Sequence, residues 1–199
     1  MNNVKTTHRL LHLWLIIISA LSLYYLYRAI NYRFIQPGML GPDLFNKQIW
    51  YIAHLAFALP VLLGAPLQFI PTLRQNAPHV HRAIGKTYVL GVCVAATLAI
   101  YLGATGEYEE SRLSIVITGV LWLFFTLAAW RLAVRKDFSG HRAFMIRSYT
   151  LTLVLVWLRL MYDSQAYLFF YVKDETLRDA TRGWASWIIP LLAVELWIS

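Results

Sequence analysis

The stretch LSIVITGVLWLFFTLAAWRLAV, Leu113 to Val134, carries a single charged residue, Arg131. As an α-helix it rises about 33 Å, enough to cross a hydrocarbon core about 30 Å thick. On either side of it the chain repeats the pattern. Leu10–Leu26, Ile49–Ile70, Ala83–Gly103, Met145–Met161 and Trp184–Ser199 are further apolar runs, separated by charged or Pro/Gly-bearing segments. The last two are short and extend into their polar flanks, so the six helices are predicted over about 10–30, 49–70, 82–103, 113–134, 142–162 and 184–199. Hydrophobic residues make up 59% of the 199-residue chain and charged residues 14%, against ~45–50% and ~25% in soluble domains. Composition therefore excludes a soluble enzyme, a disordered tail and a collagen-like repeat. The expected architecture is all-α: a polytopic membrane protein in a single integral-membrane domain, residues 1–199, with six transmembrane helices of which helices two to five form a four-helix core.

The first run follows Lys5 and Arg9, as a signal peptide would. Tyr24, Tyr25 and Tyr27 then stand where small residues and a cleavage site belong, so it is predicted to be an uncleaved span. With the N-terminus inside, the inner segments collect Lys5, Arg9, Arg74, Arg82, Lys86, Arg131, Arg135, Lys136, Arg142 and Arg147 against one loop acid, Asp137. Glu107, Glu109, Glu110, Asp174, Glu175 and Asp179 fall outside. The positive-inside rule then places both termini in the cytoplasm. Asn31–Gln48, with Pro37, Gly38, Gly41 and Pro42, reads as an irregular outer loop, and Asp163–Gly183 as an amphipathic surface helix.

The lone Cys93 permits neither an intramolecular disulfide nor a cysteine metal site. The formal charge of +8 is dispersed between apolar runs, which is a mark of membrane topology and not of nucleic-acid binding. Nucleotide-binding glycine loops, zincin motifs and nucleophile elbows are absent. No residue is singled out as catalytic.

One internal echo carries the functional argument. His81-Arg82-Ala83 opens the third helix, with Tyr88 seven residues on. His141-Arg142-Ala143 opens the fifth, with Tyr149 eight residues on. Both helices run in the same direction, so the two histidines are predicted to lie at one depth on the inner side. Facing imidazoles there would ligate the iron of one haem b. Gly85 would leave room for the macrocycle edge, and Arg82, Arg142 and Arg147 would pair with the propionates. Two other readings stay open: interfacial His-Arg anchors in the headgroup layer, or a small metal ion held by His79, His81 and His141. On the fifth helix His141, Ser148, Thr152 and Arg159 fall within about 20° of one line, a polar stripe that should face the bundle interior. His54, on helix two, is predicted near Arg159, and Gln68 near His81 and His141. His54, Arg159 and Gln68 are thus candidates for binding a quinone or another polar head group. Glu195 is an intramembrane carboxylate with no partner apparent from sequence, while His8 and His12 read as interfacial.

As an ordered set, His54, Gly64-Ala65-Pro66-Leu67-Gln68, Arg74, His81 to Tyr88, Trp122, His141 to Tyr149 and Arg159 resemble the bacterial predicted-membrane-protein family known as domain of unknown function 2306, over about Ile49 to Tyr162. That resemblance implies a bacterial inner-membrane architecture more than an activity. More distantly, the chain is similar to cytochrome b561-type transmembrane haem proteins, whose four central helices supply two pairs of axial histidines. By that likeness His81 and His141 would be one pair. The second pair fails, because Leu113–Val134 contains no histidine. The expected function is electron transfer through one haem, with quinone or a partner redox subunit. A non-catalytic accessory or assembly subunit is the alternative, and a small-molecule or ion transporter the third reading. Reporter fusions after Arg74 and Lys136 are expected to read cytoplasmic, and fusions near Glu109 and Asp174 external; an external signal at Lys136 would reverse the sidedness.

Overall fold

The computed structural model describes residues 2–31, 48–106 and 109–198, and of residues 2–12 and 29–30 the backbone only. The predicted loop at 31–48 and Glu107 lie largely or wholly outside the described residues, and the side chains of His8 and His12 do so too. Within the described residues the regular structure is entirely helical, in the order α1 (Asn2–Ile30), α2 (Gln48–Gln68), α3 (Pro71–Asn76), α4 (Pro78–Thr105), α5 (Glu109–Val134), α6 (Phe138–Thr152), α7 (Val154–Asp163), α8 (Gln165–Leu168) and α9 (Glu175–Ile198).

By length and composition α2, α4 and α5 can each cross a bilayer, and α6 with α7, taken as one bent span, makes up to four. Only 22%, 33% and 28% of their apolar windows are buried within the protein. Leu63, Leu67, Leu90, Phe124, Leu127 and Trp130 all point outward. Apolar surface on that scale has no place in water, so these faces meet lipid. The apolar part of α1 is the shorter Leu13–Arg28.

Helix boundaries follow local chemistry. Proline at the first helical position starts both α3 and α4, since its missing N–H is unneeded there. The segment 71–79 is thus mostly helical, and α4 begins at Pro78 and not near residue 82, which puts His79 and His81 in its opening turns. Between α5 and α6 the chain reverses over three residues. The amide of Lys136 donates to Ala133 and that of Asp137 to Leu132, closing α5 in a Schellman turn. Lys136 takes the left-handed conformation (φ 62°) that this turn requires. Asp137 then caps α6, its carboxylate accepting from the amide of Gly140 and the hydroxyl of Ser139. Those two donors hold its pKa below the usual carboxylate value, so the cap is strongest above that range and weakens as pH falls through the lowered pKa.

Two expectations are corrected. The fifth predicted helix is broken at Leu153, and its halves α6 and α7 meet at 42°. The hydroxyls of Thr150 and Thr152 bond back to the carbonyls of Ile146 and Ser148, a competition that bends helices. The polar line from His141 to Arg159 is consequently not straight: Ser148 and Thr152 belong to α6 and Arg159 to the diverging α7. The segment read as a surface helix over 163–183 is divided between the short α8, an irregular stretch and the first turns of α9, which begins at Glu175 and not at Trp184.

α4 lies between α2 and α5, and α6 packs on the other flank of α5. α9 lies against α5, α6 and α7, and α1 touches α2 and α7. Small residues permit the closest approaches. A Cβ at Gly91 would come within 2.5 Å of Val61 Cγ2 and 3.0 Å of the Phe57 carbonyl oxygen. At Gly119 a Cβ would sit 2.7 Å from Ile100 Cγ1. Gly91→Ala is therefore expected to destabilise the fold by about 1–3 kcal/mol through overpacking of α2 against α4, read as a lowered melting temperature in detergent; an unchanged value would show that the two helices separate freely.

Candidate functional site

The interior of the bundle is tied by hydroxyl groups. Tyr88 on α4 is 1% exposed; its phenol oxygen is 2.7 Å from Ser148 Oγ and 2.9 Å from Thr152 Oγ1, both on α6. Ser148 Oγ is 2.7 Å from Thr126 Oγ1 on α5. Thr126 donates its proton to the carbonyl of Trp122, and the indole N–H of Trp122 donates to Thr152. These fixed ends set the direction of the whole chain. With the Thr126 proton committed, Ser148 donates to Thr126, and Tyr88 donates to Ser148. Thr152 accepts the indole N–H, and its own proton goes to Tyr88 or to the Ser148 carbonyl. The network begins and ends on Trp122, every member is satisfied, and three helices are joined.

This bond also fixes the histidines. His81 lies seven residues before Tyr88 and His141 seven before Ser148, so each is about 10 Å further towards the same basic end of two parallel helices. His81 lies within electrostatic reach of His141 and of Arg74. His141 Nδ1 is 2.9 Å from the carbonyl oxygen of Ala129. That contact orients the ring and, with the proton on Nδ1, leaves Nε2 as a free lone pair. His81 Nδ1 is buried without a hydrogen-bond partner among the described residues.

The remaining predicted residues divide. Gly85, one turn beyond His81, faces Gln68, whose Oε1 would lie 3.5 Å from an added Cβ; the two come together as expected, and the space beside Gly85 is occupied by the amide. Arg82 and Arg142 are exposed. Arg147 is not available to a propionate. Its Nε and Nη2 bind Glu195 Oε1 and Oε2 at 2.6 and 2.7 Å, and its guanidinium lies 5.0 Å from the Phe144 ring centre. Glu195, apparently partnerless in sequence, is thus half of a two-pronged ion pair joining α9 to α6. His54 Nδ1 is 2.9 Å from the Ala95 carbonyl and ties α2 to α4. Arg159 is carried by α7, which has no packing contact with α2 among the described residues; its Nε is buried and unpartnered there. Asp163, at the end of the same helix, is held by Arg28 and the Tyr25 hydroxyl.

Sequence reasoning missed Arg182. The residue is 4% exposed; its guanidinium is held by Asp179 and Gln165 and stacks 4.8 Å from the Tyr162 ring centre. The i, i+3 spacing of Asp179 and Arg182 was the available signal, hidden once residues 163–183 were placed on the surface. No group of three or more His, Cys, Asp or Glu able to hold a metal ion gathers among the described residues, so His79 does not complete such a set with His81 and His141.

Residues 51–198 match the model of the family described as Predicted membrane protein (DUF2306). No curated protein and no solved structure matches the chain.

Ser148→Ala removes the acceptor of Tyr88 and the donor to Thr126 in the buried interior of the bundle. The expected loss is about 1–2 kcal/mol of stability, measured as a fall in melting temperature beside the control Thr87→Ala, whose hydroxyl bonds only its own helix; equal values for the two variants would show that the network does not hold the helices.

Proposed function

This chain belongs to the predicted-membrane-protein family DUF2306, and we propose that it is a multi-pass protein of the bacterial inner membrane that binds one b-type haem between His81 and His141 and transfers electrons with quinone or a partner redox subunit. In this reading α1 and α9 also cross the bilayer, giving six spans around a core of α2, α4, α5 and the bent pair α6–α7. Both termini then lie in the cytoplasm, as the distribution of Lys and Arg favours. The more distant similarity to cytochrome b561-type proteins points the same way, reduced to one haem.

The observation that supports the reading is the equal seven-residue offset of His81 and His141 from the bonded pair Tyr88 and Ser148. That offset is what two imidazoles at one level on parallel helices would require. The donor chemistry fits iron: one ring is oriented through Nδ1 by a backbone carbonyl, and the other is buried with an unspent nitrogen. His81 and His141 would hold the metal, and the exposed Arg82 and Arg142 would meet the propionates. Gly85 would border the group only with Gln68 displaced, and Arg147 serves Glu195 instead. A bound haem supplies reversible one-electron chemistry; the chain orients the imidazoles and places the site at the basic end of the bundle.

A second reading, a non-catalytic accessory or assembly subunit, is favoured by the closed hydroxyl network, which locks helices and has no open end for ligand or proton. Transport through a His54–Arg159 region has less support, because the His54 ring is already engaged by the Ala95 carbonyl.

An absorption spectrum of the purified protein before and after dithionite decides between them. About one low-spin haem per chain is expected, retained in His54→Ala and lost in His81→Ala and His141→Ala. A colourless, folded protein produced with ample haem would remove the redox reading and leave the accessory role.

A further inference from the structure

Three buried polar atoms at the basic end lack a hydrogen-bond partner among the described residues: Gln68 Nε2 at the close of α2, His81 Nδ1 in the opening turns of α4, and the Tyr149 hydroxyl on α6. Contacts between neighbours bring them to one junction. Gln68 lies against Gly85, one turn beyond His81 on the same helix. The adjacent Phe69 packs its ring on Tyr149, with centres 5.3 Å apart and planes at 40°. The contrast with the satisfied network around Tyr88, one residue along α6 at Ser148, is sharp. In a bilayer no bulk solvent meets such groups, and each one left unmet is costly.

The missing complement has a definite chemistry. The Gln68 amide nitrogen only donates, and the Tyr149 hydroxyl has a proton with no acceptor, so the junction calls for an acceptor oxygen. It also calls for a neutral one. Tyr149 is 7% exposed, whereas Arg74, Arg82, Lys86 and Arg142 are exposed, and Arg147, the less exposed cation of this end, is already paired with Glu195. An anion drawn to Tyr149 would leave its charge buried beyond their close reach. The Phe69 and Tyr149 rings provide an aromatic wall beside the donors, suited to a flat ring.

We infer that the junction of α2, α4 and α6 binds the carbonyl end of a neutral quinone-like lipid, with the Tyr149 O–H and the Gln68 amide N–H donating to the carbonyl oxygen. The inference rests on the proposed redox reading for the class of partner, and needs no iron for its geometry. It moves the quinone from the expected His54 and Arg159 to Gln68 and Tyr149.

The full chain in detergent is titrated with a short-chain ubiquinone analogue, following tryptophan fluorescence and melting temperature, as wild type, Tyr149→Phe, Gln68→Met and the control Thr97→Val, whose hydroxyl bonds only the Cys93 carbonyl of its own helix. Saturable binding is expected for wild type and control, weakened about tenfold in Tyr149→Phe and in Gln68→Met, as loss of one buried hydrogen bond predicts. Without the analogue Tyr149→Phe should melt no lower than wild type, because its hydroxyl has no partner among the described residues to lose. Equal affinity in all four proteins, or no saturable binding, would overturn the site and leave buried water as the complement. Competition by octyl phosphate as strong as that by unlabelled analogue would overturn the neutral carbonyl in favour of an anionic head group. A colourless protein that binds the analogue through Tyr149 loses the haem and keeps this site, while a haem-bearing protein indifferent to Tyr149→Phe does the reverse.

Discussion

The 2.7 Å contact between the Tyr88 phenol and Ser148 is the constraint on which the rest of the interior depends. Inside a bilayer a hydroxyl has no water to fall back on, and association of helices gains little from the hydrophobic effect because lipid is as apolar as leucine. Shape and internal hydrogen bonding must set the register. Here five side-chain groups on α4, α5 and α6 bond one another in a network that begins at the Trp122 indole and ends at the Trp122 carbonyl. A slip of α4 along α6 by one residue would break that order at once.

Around this lock the charged groups attach the remaining helices. Arg147 and Glu195 join α9 to α6 through two parallel contacts, with the arginine side chain 18% exposed. Arg182 is enclosed by Asp179, Gln165 and the Tyr162 ring, and Arg28 reaches from α1 to Asp163 at the end of α7. A charge withdrawn from water is tolerable only when it is met by an opposite charge or by several polar groups. Each of these pairs therefore specifies which helix lies beside which, whatever its net contribution to stability.

The small residues do for shape what the hydroxyls do for polarity. Gly91 lets α4 meet α2 at Val61, and Gly119 lets α5 meet α4 at Ile100. The bend at Leu153 turns α7 towards α9 and α1. Where α2 ends against α4 and α6, this economy of satisfied groups stops, and Gln68, His81 and Tyr149 are left with capacity to spare.

The sequence by itself determined the class of the fold. Apolar runs of about twenty residues allow little but helices in lipid, and α2, α4 and α5 appear close to where their composition puts them. It determined also that the tripeptide His-Arg-Ala recurs at the start of two helices, and that Gln68 lies near the first of them. Tertiary structure alone decided the partners. Glu195 and Arg147 are 48 positions apart, and no local pattern joins them. The break at Leu153 arises from hydroxyls that bond backward only in a packed setting, and it carries Arg159 out of the line that a straight 3.6-residue helix would draw. The start of α9 at Glu175 became visible only with Arg182 buried among its partners, since by hydropathy those turns belong in water. Periodicity reports which residues share a face, and hydropathy which segments leave water; neither records which neighbour a polar atom meets, and in this protein that meeting decides the interior.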